Sequence, residues 1–223
     1  MKIIFLGDSL TAGVYGGDFV AELAAMMPDD QIINAGIGGS TAPDMLARLD
    51  DIIAHEPDAV FVMGGGNDAI SYSQPDTRPY YRQAQDIPDG VVTPEMFTTA
   101  YRDILQTLQL AFVRVWVGLP PMEYNPQTVS AMKRYNDIAR EVAASFNVPA
   151  LDLMAHFTPD DVPERPPITI KTINTIGQRT ANGWDDYEGE RERGGYTYSF
   201  DGIHILPRTA ERFARLIYDF MDE

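Results

Sequence analysis

The sequence predicts an α/β protein built on a doubly wound parallel sheet. Five short apolar runs alternate with segments that have the 3.6-residue periodicity of amphipathic helices, which is the pattern of parallel strands joined by helical crossovers. Glycine-rich or polar segments follow the first three runs directly, and open α/β sheets place their sites beyond the carboxyl ends of their strands. The predicted strands are residues 2–6, 31–35, 58–63, 112–117 and 148–153.

The periodic segments between these runs predict helices, and the crossovers that they form should be right-handed. Proline stands in the first turn of two of them, at Pro43 and Pro94, a position where its missing N–H costs no hydrogen bond. The predicted helices cover roughly residues 16–26, 43–53, 93–109, 127–146 and 207–220.

Two segments interrupt the alternation, and we interpret them as loop insertions in a single domain that spans residues 1–223. Residues 70–92 contain several prolines and mixed charge without periodicity, which predicts a long loop. Residues 156–200 are the least regular part and contain an apolar patch at 168–176. This second insertion leads directly into the Asp201 segment described below, so we expect it to border the functional site.

Composition excludes several classes of function. The chain has a formal net charge of -16 and no cysteine. The negative charge disfavours nucleic acid and anionic membranes as partners, because their phosphates would be repelled. Without cysteine there are no disulfides or thiolate sites, and three scattered histidines argue against a metal enzyme, so no metal or cofactor is expected. Met1 runs straight into a strand and no stretch approaches the ~20 apolar residues of a membrane span, which predicts a cytoplasmic protein without membrane insertion.

A serine directly follows the first predicted strand, in the segment Gly7-Asp8-Ser9-Leu10. A serine on a tight strand-to-helix turn lies at the edge of the sheet where catalytic groups are found, which favours a nucleophile. The alternative is a serine that caps the helix or shapes the turn. The Asp8 carboxylate is expected to bond nearby backbone N–H groups, so we leave it out of the catalytic set.

A base for this serine is offered by the segment Asp201-Gly202-Ile203-His204. Serine becomes nucleophilic when a histidine takes its proton, and a carboxylate commonly holds that histidine in one tautomer. Asp201 and His204 can supply both groups from one loop. The other two histidines are less suitable, because His55 lies at a predicted helix end and His156 follows the last predicted strand.

Four blocks of the sequence together resemble the GDSL group of SGNH hydrolases, which are esterases and lipases. Two of them are Gly7-Asp8-Ser9-Leu10 and Asp201-x-x-His204; the other two are the glycine-rich residues 34–41 and the segment Gly64-Gly65-Gly66-Asn67-Asp68. Each block is short and weakly specific, but their order and their extent over nearly the whole chain are typical of the family. The resemblance implies a three-layer α/β/α sandwich with a flavodoxin-like sheet of strand order 2-1-3-4-5.

The resemblance also implies roles for individual residues. Ser9 would be the nucleophile, His204 the general base and Asp201 its partner. The oxyanion hole would consist of the Ser9 and Gly39 backbone N–H groups and the Asn67 side chain. These three donors follow predicted strands one, two and three, so they are expected at one edge of the sheet. Gly39 as a turn residue and Asn67 as a helix cap are the alternatives.

The substrate is less constrained by the sequence. Tyr196, Tyr198 and Arg193 of the second insertion are candidate substrate-binding residues, because aromatic rings with a polar tip stack on sugars and arginine attracts carboxylates or phosphates. The same tyrosines suit loop packing, and Arg193 suits ion pairs with the glutamates around it. We expect a small-molecule or glycan ester substrate.

Several functions therefore compete. The first is a serine esterase for short-acyl or carbohydrate-linked acetyl esters. A second is a lysophospholipase or thioesterase for longer acyl chains, which a long apolar groove would favour. A third is a non-catalytic carbohydrate-binding relative. A nucleotide binder is disfavoured, because no strand is followed by a phosphate-binding glycine loop of known pattern.

Overall fold

The computed structural model describes residues 1–222 and contains a five-stranded parallel sheet of order β2-β1-β3-β4-β5. This confirms the predicted fold class and strand order. The strands are β1 (Lys2–Gly7), β2 (Gln31–Gly36), β3 (Ala59–Met63), β4 (Arg114–Leu119) and β5 (Ala150–Asp152). The central position of β1 places the ends of β2 and β3 on either side of it, with Gly7 paired to both Gly36 and Met63.

Helices cover both faces of the sheet. They are α1 (Ser9–Ala12), α2 (Phe19–Met26), α3 (Ala42–Ala47), α4 (Leu49–Ala54), α5 (Gly66–Ser73), α6 (Arg78–Ala84), α7 (Pro94–Leu110), α8 (Pro126–Ser145), α9 (Leu153–Phe157), α10 (Ile170–Ala181), α11 (Tyr187–Gly194) and α12 (Pro207–Asp222). Short 3₁₀ turns occur at Pro75–Thr77 and Pro88–Gly90. None of the helices within residues 1–222 combines the length and the hydrophobicity that crossing a membrane requires.

The three layers follow from the alternation of side chains along the buried strands. On β3, Val60 and Val62 face one core, which α3, α4, α7 and α8 complete. Phe61 and Met63 face the other core, which α2, α9 and α12 complete. All five residues of β3 are buried, so it is the central strand that its apolar run predicts.

The first predicted insertion is helical rather than a long loop. Residues 70–92 contain the end of α5, all of α6 and the two 3₁₀ turns. Buried polar groups hold these short elements together: the Ser71 hydroxyl accepts from the Val92 N–H at 3.0 Å, and the Arg78 guanidinium donates to the Ser71 carbonyl at 3.2 Å. Elements of one or two turns are too short to show a 3.6-residue period, which explains the wrong prediction.

The second predicted insertion also contains regular structure. Residues 158–169 form no helix or strand, but α10 and α11 follow them, and an isolated bridge between Ser199 and Ile205 closes the segment. The Arg179 guanidinium lies 4.1 Å from the centre of the Trp184 ring and bonds Glu190 at 3.2 Å, which ties the end of α10 to α11. These contacts form only when α10 and α11 pack together, so no local pattern in the sequence predicted them.

Several predicted boundaries were wrong, and the helix predicted at 43–53 is two helices, α3 and α4, which are separated at Arg48. The helix predicted at 16–26 begins at Phe19, where Asp18 caps it, and left-handed backbone at Gly13 and Gly16 separates it from α1. The strand predicted at 112–117 runs from Arg114 to Leu119. Phe112 has a left-handed φ of 60°, which delays the start, and the missing side chain of Gly118 leaves room for the Phe61 ring near the end. The strand predicted at 148–153 is only Ala150–Asp152, since Leu153 already begins α9.

Two buried tyrosines allow a matched test of how much a buried hydrogen bond contributes to stability. Tyr135 and Tyr101 are both inaccessible and both pack against Phe97, but only the Tyr135 hydroxyl has a partner, the Val92 carbonyl at 2.5 Å. Within residues 1–222 the Tyr101 hydroxyl contacts no hydrogen-bonding group. Tyr135→Phe should lower the free energy of unfolding by about 1–2 kcal/mol, and Tyr101→Phe should leave it within about 0.5 kcal/mol. Urea unfolding measures both, and equal losses would contradict the assignment.

Candidate active site

Ser9 lies at the carboxyl end of β1, on the turn into α1. The buried Asp8 carboxylate caps this turn by accepting from the Leu10 N–H at 3.0 Å, as its predicted role requires. The helix that starts at Ser9 is only four residues long and ends at Gly13 in a left-handed conformation. The serine is therefore fixed by the turn itself, and the longer helix α2 begins ten residues further on.

The structure brings Ser9, His204 and Asp201 into one hydrogen-bonded series. The His204 Nε2 lies 3.0 Å from the Ser9 Oγ, and its Nδ1 lies 2.8 Å from the Asp201 Oδ2. His204 is 4% exposed, so bulk water does not compete for these two contacts. The imidazole can accept the serine proton at one nitrogen while the other donates to the carboxylate.

The loop that carries both residues is held by backbone hydrogen bonds. The Asp201 Oδ1 accepts from the N–H groups of Ile203 and His204, at 2.9 and 2.7 Å. The buried Glu123, just beyond β4, accepts from the backbone N–H groups of residues 197–199 and from the Ser199 hydroxyl. Its own backbone N–H donates to the Gly202 carbonyl at 2.9 Å, so this one residue anchors both ends of the bend before His204, one end with its side chain and the other with its backbone.

The electrostatics of the pair follow from its burial. Burial lowers the pKa of His204, but the facing Asp201 carboxylate raises it by more, so it lies above its ordinary value of 6.5. Burial raises the pKa of Asp201, and the charge and hydrogen bonds of His204 lower it by more, so it lies below its ordinary value. Each group therefore favours the charged form of the other.

Two further carboxylates lie beneath the site. Burial raises the pKa of Asp8 to about 6, although the Leu10 N–H opposes the shift. Burial likewise raises the pKa of Asp68 to about 7, although the Ala42 N–H, which donates to its Oδ1 at 3.0 Å, opposes it. The contact between Asp68 and Ala42 ties the segment after β3 to the segment after β2.

The structure places Gly39 and Asn67 at the same cavity as Ser9. Gly39 has a left-handed φ of 82°, and a Cβ there would collide with the Tyr80 hydroxyl and the Gln85 side chain. The Asn67 amide is oriented at both ends: its oxygen accepts from the Tyr81 hydroxyl at 3.0 Å, and its nitrogen donates to the Ser40 carbonyl at 3.1 Å and to the Asp8 Oδ2 at 3.4 Å.

The cavity beside Ser9 has a volume of about 390 Å³. Its floor is formed by the ends of the first three strands and by the Ile203-His204 segment, and one wall is formed by α10. Most of the side chains that line it are apolar and not aromatic: Leu10, Val14, Ile70, Pro121, Met122, Ile168, Ile173, Ile176, Ala181 and Ile203. Within residues 1–222 no group of acidic residues and histidines is arranged to hold a metal ion.

A model of the GDSL-like lipase/acylhydrolase family matches residues 5–169. The chain belongs to this family. The match includes Ser9, Gly39 and Asn67, but the segment with Asp201 and His204 lies beyond it. A search of curated proteins finds no significant match.

Solved structures share the fold of this GDSL-like chain at low sequence identity. The acetyl xylan esterase AlAXEase is 18% identical, with 99% of each chain covered and a TM-score of 0.66. A lipase/acylhydrolase from Enterococcus faecalis is 21% identical over 99% of this chain and 94% of its own, with a TM-score of 0.65. A catalytic mutant of Axe2, an acetylxylan esterase from Geobacillus stearothermophilus, is 17% identical over 98% and 92%, with a TM-score of 0.64.

The predicted substrate-binding residues do not line the cavity. The buried Tyr196 packs against the Arg165 guanidinium, 4.1 Å from the ring centre, and Tyr198 packs edge-on against Phe157. Arg193 forms ion pairs with Asp186 and Glu190 on the surface. The alternatives of loop packing and ion pairing therefore describe these residues, because nearby partners in their own segment satisfy them.

Other residues of the site were missed. The Tyr15 ring lies edge-on to His204, with 5.1 Å between centres, and no sequence pattern marked it. Glu123 had a detectable signal, since it is an acidic residue shortly after the carboxyl end of a parallel strand. Ile173, Ile176 and Thr180 also had one, because their spacing is that of a single helix face.

Burial and the Asp201 carboxylate have opposite effects on the pKa of His204, and removing the Asp201 charge separates them. In Asp201→Asn, the main group that raises the His204 pKa is lost while the burial that lowers it remains, so the pKa should fall from above 6.5 in the parent protein. NMR titration of the labelled imidazole measures it. Asp160→Asn, at an exposed carboxylate on the loop before α10, is the control and should leave the titration unchanged. A His204 pKa that does not fall in Asp201→Asn would contradict the assignment.

Proposed function

We propose that this protein is a serine esterase that hydrolyses carboxylic esters through Ser9, His204 and Asp201. The observation that carries the proposal is the series of contacts from the Ser9 Oγ to His204 Nε2 and from His204 Nδ1 to Asp201, at 3.0 and 2.8 Å. Membership of an acylhydrolase family supports the same type of reaction. The cavity beside Ser9 provides the space that an ester substrate needs.

In the proposed mechanism, His204 takes the Ser9 proton while the Oγ attacks the ester carbonyl carbon. Asp201 keeps the Nδ1–H tautomer in place and stabilises the imidazolium that forms. The imidazolium then protonates the departing alcohol, leaving an acyl group on Ser9. Water, activated by the same histidine, attacks this acyl group and releases the acid.

The negative oxygen of each tetrahedral intermediate would be held by three donors: the Ser9 and Gly39 N–H groups and the Asn67 Nδ2. All three lie at the carboxyl ends of β1, β2 and β3. Preorganised donors stabilise this charge because they need no reorientation during the reaction. Tyr81 supports this role, because its hydroxyl fixes the Asn67 amide oxygen and thereby orients the nitrogen.

The identity of the ester is the finer part of the proposal. Short-acyl or carbohydrate-linked acetyl esters are supported by the acetyl xylan esterases among the similar structures. The rival, an esterase for longer acyl chains, is favoured by the aliphatic lining of the cavity. A purely carbohydrate-binding relative is the less economical proposal, because binding alone requires no histidine between a serine and a carboxylate. Exclusion of nucleic acid as a partner stays a prediction from the net charge.

The nucleophile is tested by Ser9→Ala. The variant should lose at least about 10³-fold in kcat on p-nitrophenyl butyrate, because no other group at the site can form the acyl intermediate. Its unfolding midpoint should stay close to that of the parent protein. Ser145→Ala, an exposed serine in the last turn of α8, is the matched control and should retain full activity. Equal activity of the two variants would refute the assignment.

The proposed oxyanion donor is tested by Asn67→Ala. Because the amide contacts the oxygen most strongly in the transition state, kcat should fall about 10²–10³-fold while KM changes little. Tyr81→Phe keeps the amide but releases its oxygen, so a smaller fall in kcat is expected. Tyr101→Phe removes a buried hydroxyl away from the site and serves as the control. A rise in KM with kcat unchanged would contradict the role of Asn67.

A further inference from the structure

One face of α10 is apolar and points into the cavity beside Ser9 rather than into a core. Ile173, Ile176, Gly177, Thr180 and Ala181 line the cavity, at the i, i+3, i+4, i+7, i+8 spacing of one helix face. None of the residues of α10 is buried. An apolar helix face normally gains its stability by packing against other apolar groups, so this face has hydrophobic surface left to cover.

The floor of the cavity has the same apolar chemistry. Ile70 and Met122 come from the segments after β3 and β4, and Ile203 comes from the segment that carries the base. Lysine, arginine and glutamate are absent from the lining formed by residues 1–222. The lining also contains one histidine and one aspartate. His204 faces Ser9, and the Asp8 carboxylate accepts a hydrogen bond from the Leu10 N–H.

This lining is poorly suited to a sugar. Each hydroxyl that leaves water needs a new hydrogen-bond partner, and burying it without one is costly. Apart from the proposed catalytic groups, the side chains that offer hydrogen bonds here are Thr180 and the tyrosines. A hydrocarbon group needs no such partners, and its binding is favoured by the apolar surface that it removes from water on α10 and on the floor.

The size of the cavity also exceeds an acetyl group. About 390 Å³ compares with a share of about 30 Å³ for one water molecule in the liquid, so a single methyl group would leave most of it unfilled. We propose that this cavity binds an unbranched hydrocarbon chain of the ester, and that α10 forms the wall which sets the accepted length. The inference rests on the proposed function of Ser9 and specifies its substrate class.

The wall is anchored, as a determinant of length must be. Ile176 packs against the cluster of Tyr15, Phe200 and Leu206, and Arg179 binds Trp184 and Glu190. Gly177 lies on the cavity side of this helix, and a Cβ built there meets no atom within 4 Å. A larger side chain at 177 therefore projects into the space proposed for the chain, and in a helix it is also more favourable than glycine.

The first measurement is kcat/KM for two ester series, p-nitrophenyl esters from acetate to decanoate and alkyl acetates from methyl to octyl. A chain bound in the cavity should raise kcat/KM by up to about fourfold per methylene until the cavity is filled. A rise along the first series places the acyl chain there, and a rise along the second places the alcohol. If acetate is hydrolysed and both series stay flat or fall, the inference is overturned while the proposed function stands. If no ester is hydrolysed, both the inference and the proposed function are refuted.

The second measurement locates the effect at α10. In whichever series rises, Gly177→Leu should lower the ratio of kcat/KM for the six-carbon chain over the shortest chain at least tenfold, because the new side chain occupies the space of the chain. Gln178→Leu places the same side chain about 100° around the helix, on an exposed residue outside the cavity, and should leave the ratio unchanged. Circular dichroism confirms that both variants fold. An unchanged ratio in Gly177→Leu would overturn the assignment of the wall.

Discussion

The whole site depends on β1 lying between β2 and β3. Parallel strands end at the same edge, so the segments after these three strands must meet there, and they carry Ser9, Gly39 and Asn67. The meeting requires close approach of backbone: a Cβ at Gly36 would collide with the backbone of α1. Arg48 joins the strand ends by donating to the carbonyls of residues 35 and 7, at 2.6 and 2.8 Å. The positions of the proposed oxyanion donors therefore follow from the order of the strands.

The pair of His204 and Asp201 stabilises the fold and the proposed reaction in different ranges of pH. His204 has a raised pKa, so its stabilising contribution is complete below its unfolded value of about 6.5 and is lost as pH rises through the folded value. Asp201 has a lowered pKa, so its contribution is present above about 3.9 and is lost as pH falls through the folded value. A general base must be neutral. The pair thus contributes most to stability between the two unfolded values, whereas the base is competent only at higher pH.

What the sequence predicted correctly was determined by strong local signals. The run 58–63 is apolar throughout because β3 is buried on both faces, and Asn67 could be placed because its motif follows that strand directly. Residues 70–92 were misjudged because helices of one or two turns show no period. Tyr196 and Arg193 were misplaced because tyrosine and arginine pack and pair as readily as they bind ligands. The contact of Tyr196 with Arg165 and the ion pair of Arg193 with Glu190 within α11 decide between these uses.

The proposed catalytic groups and the cavity wall are held by different kinds of contact. The proposed catalytic groups are fixed by backbone: two N–H groups hold Asp201, and the three that bind Glu123 hold the bend before it. The cavity wall is instead a surface helix without a buried residue, held by Ile176 and by Arg179 at its end. Substitutions on its inner face change the space beside Ser9 without touching the bonds that orient the base. Similarity of fold therefore does not indicate which ester is the substrate, whereas the inner face of α10 bears directly on the proposed chain length.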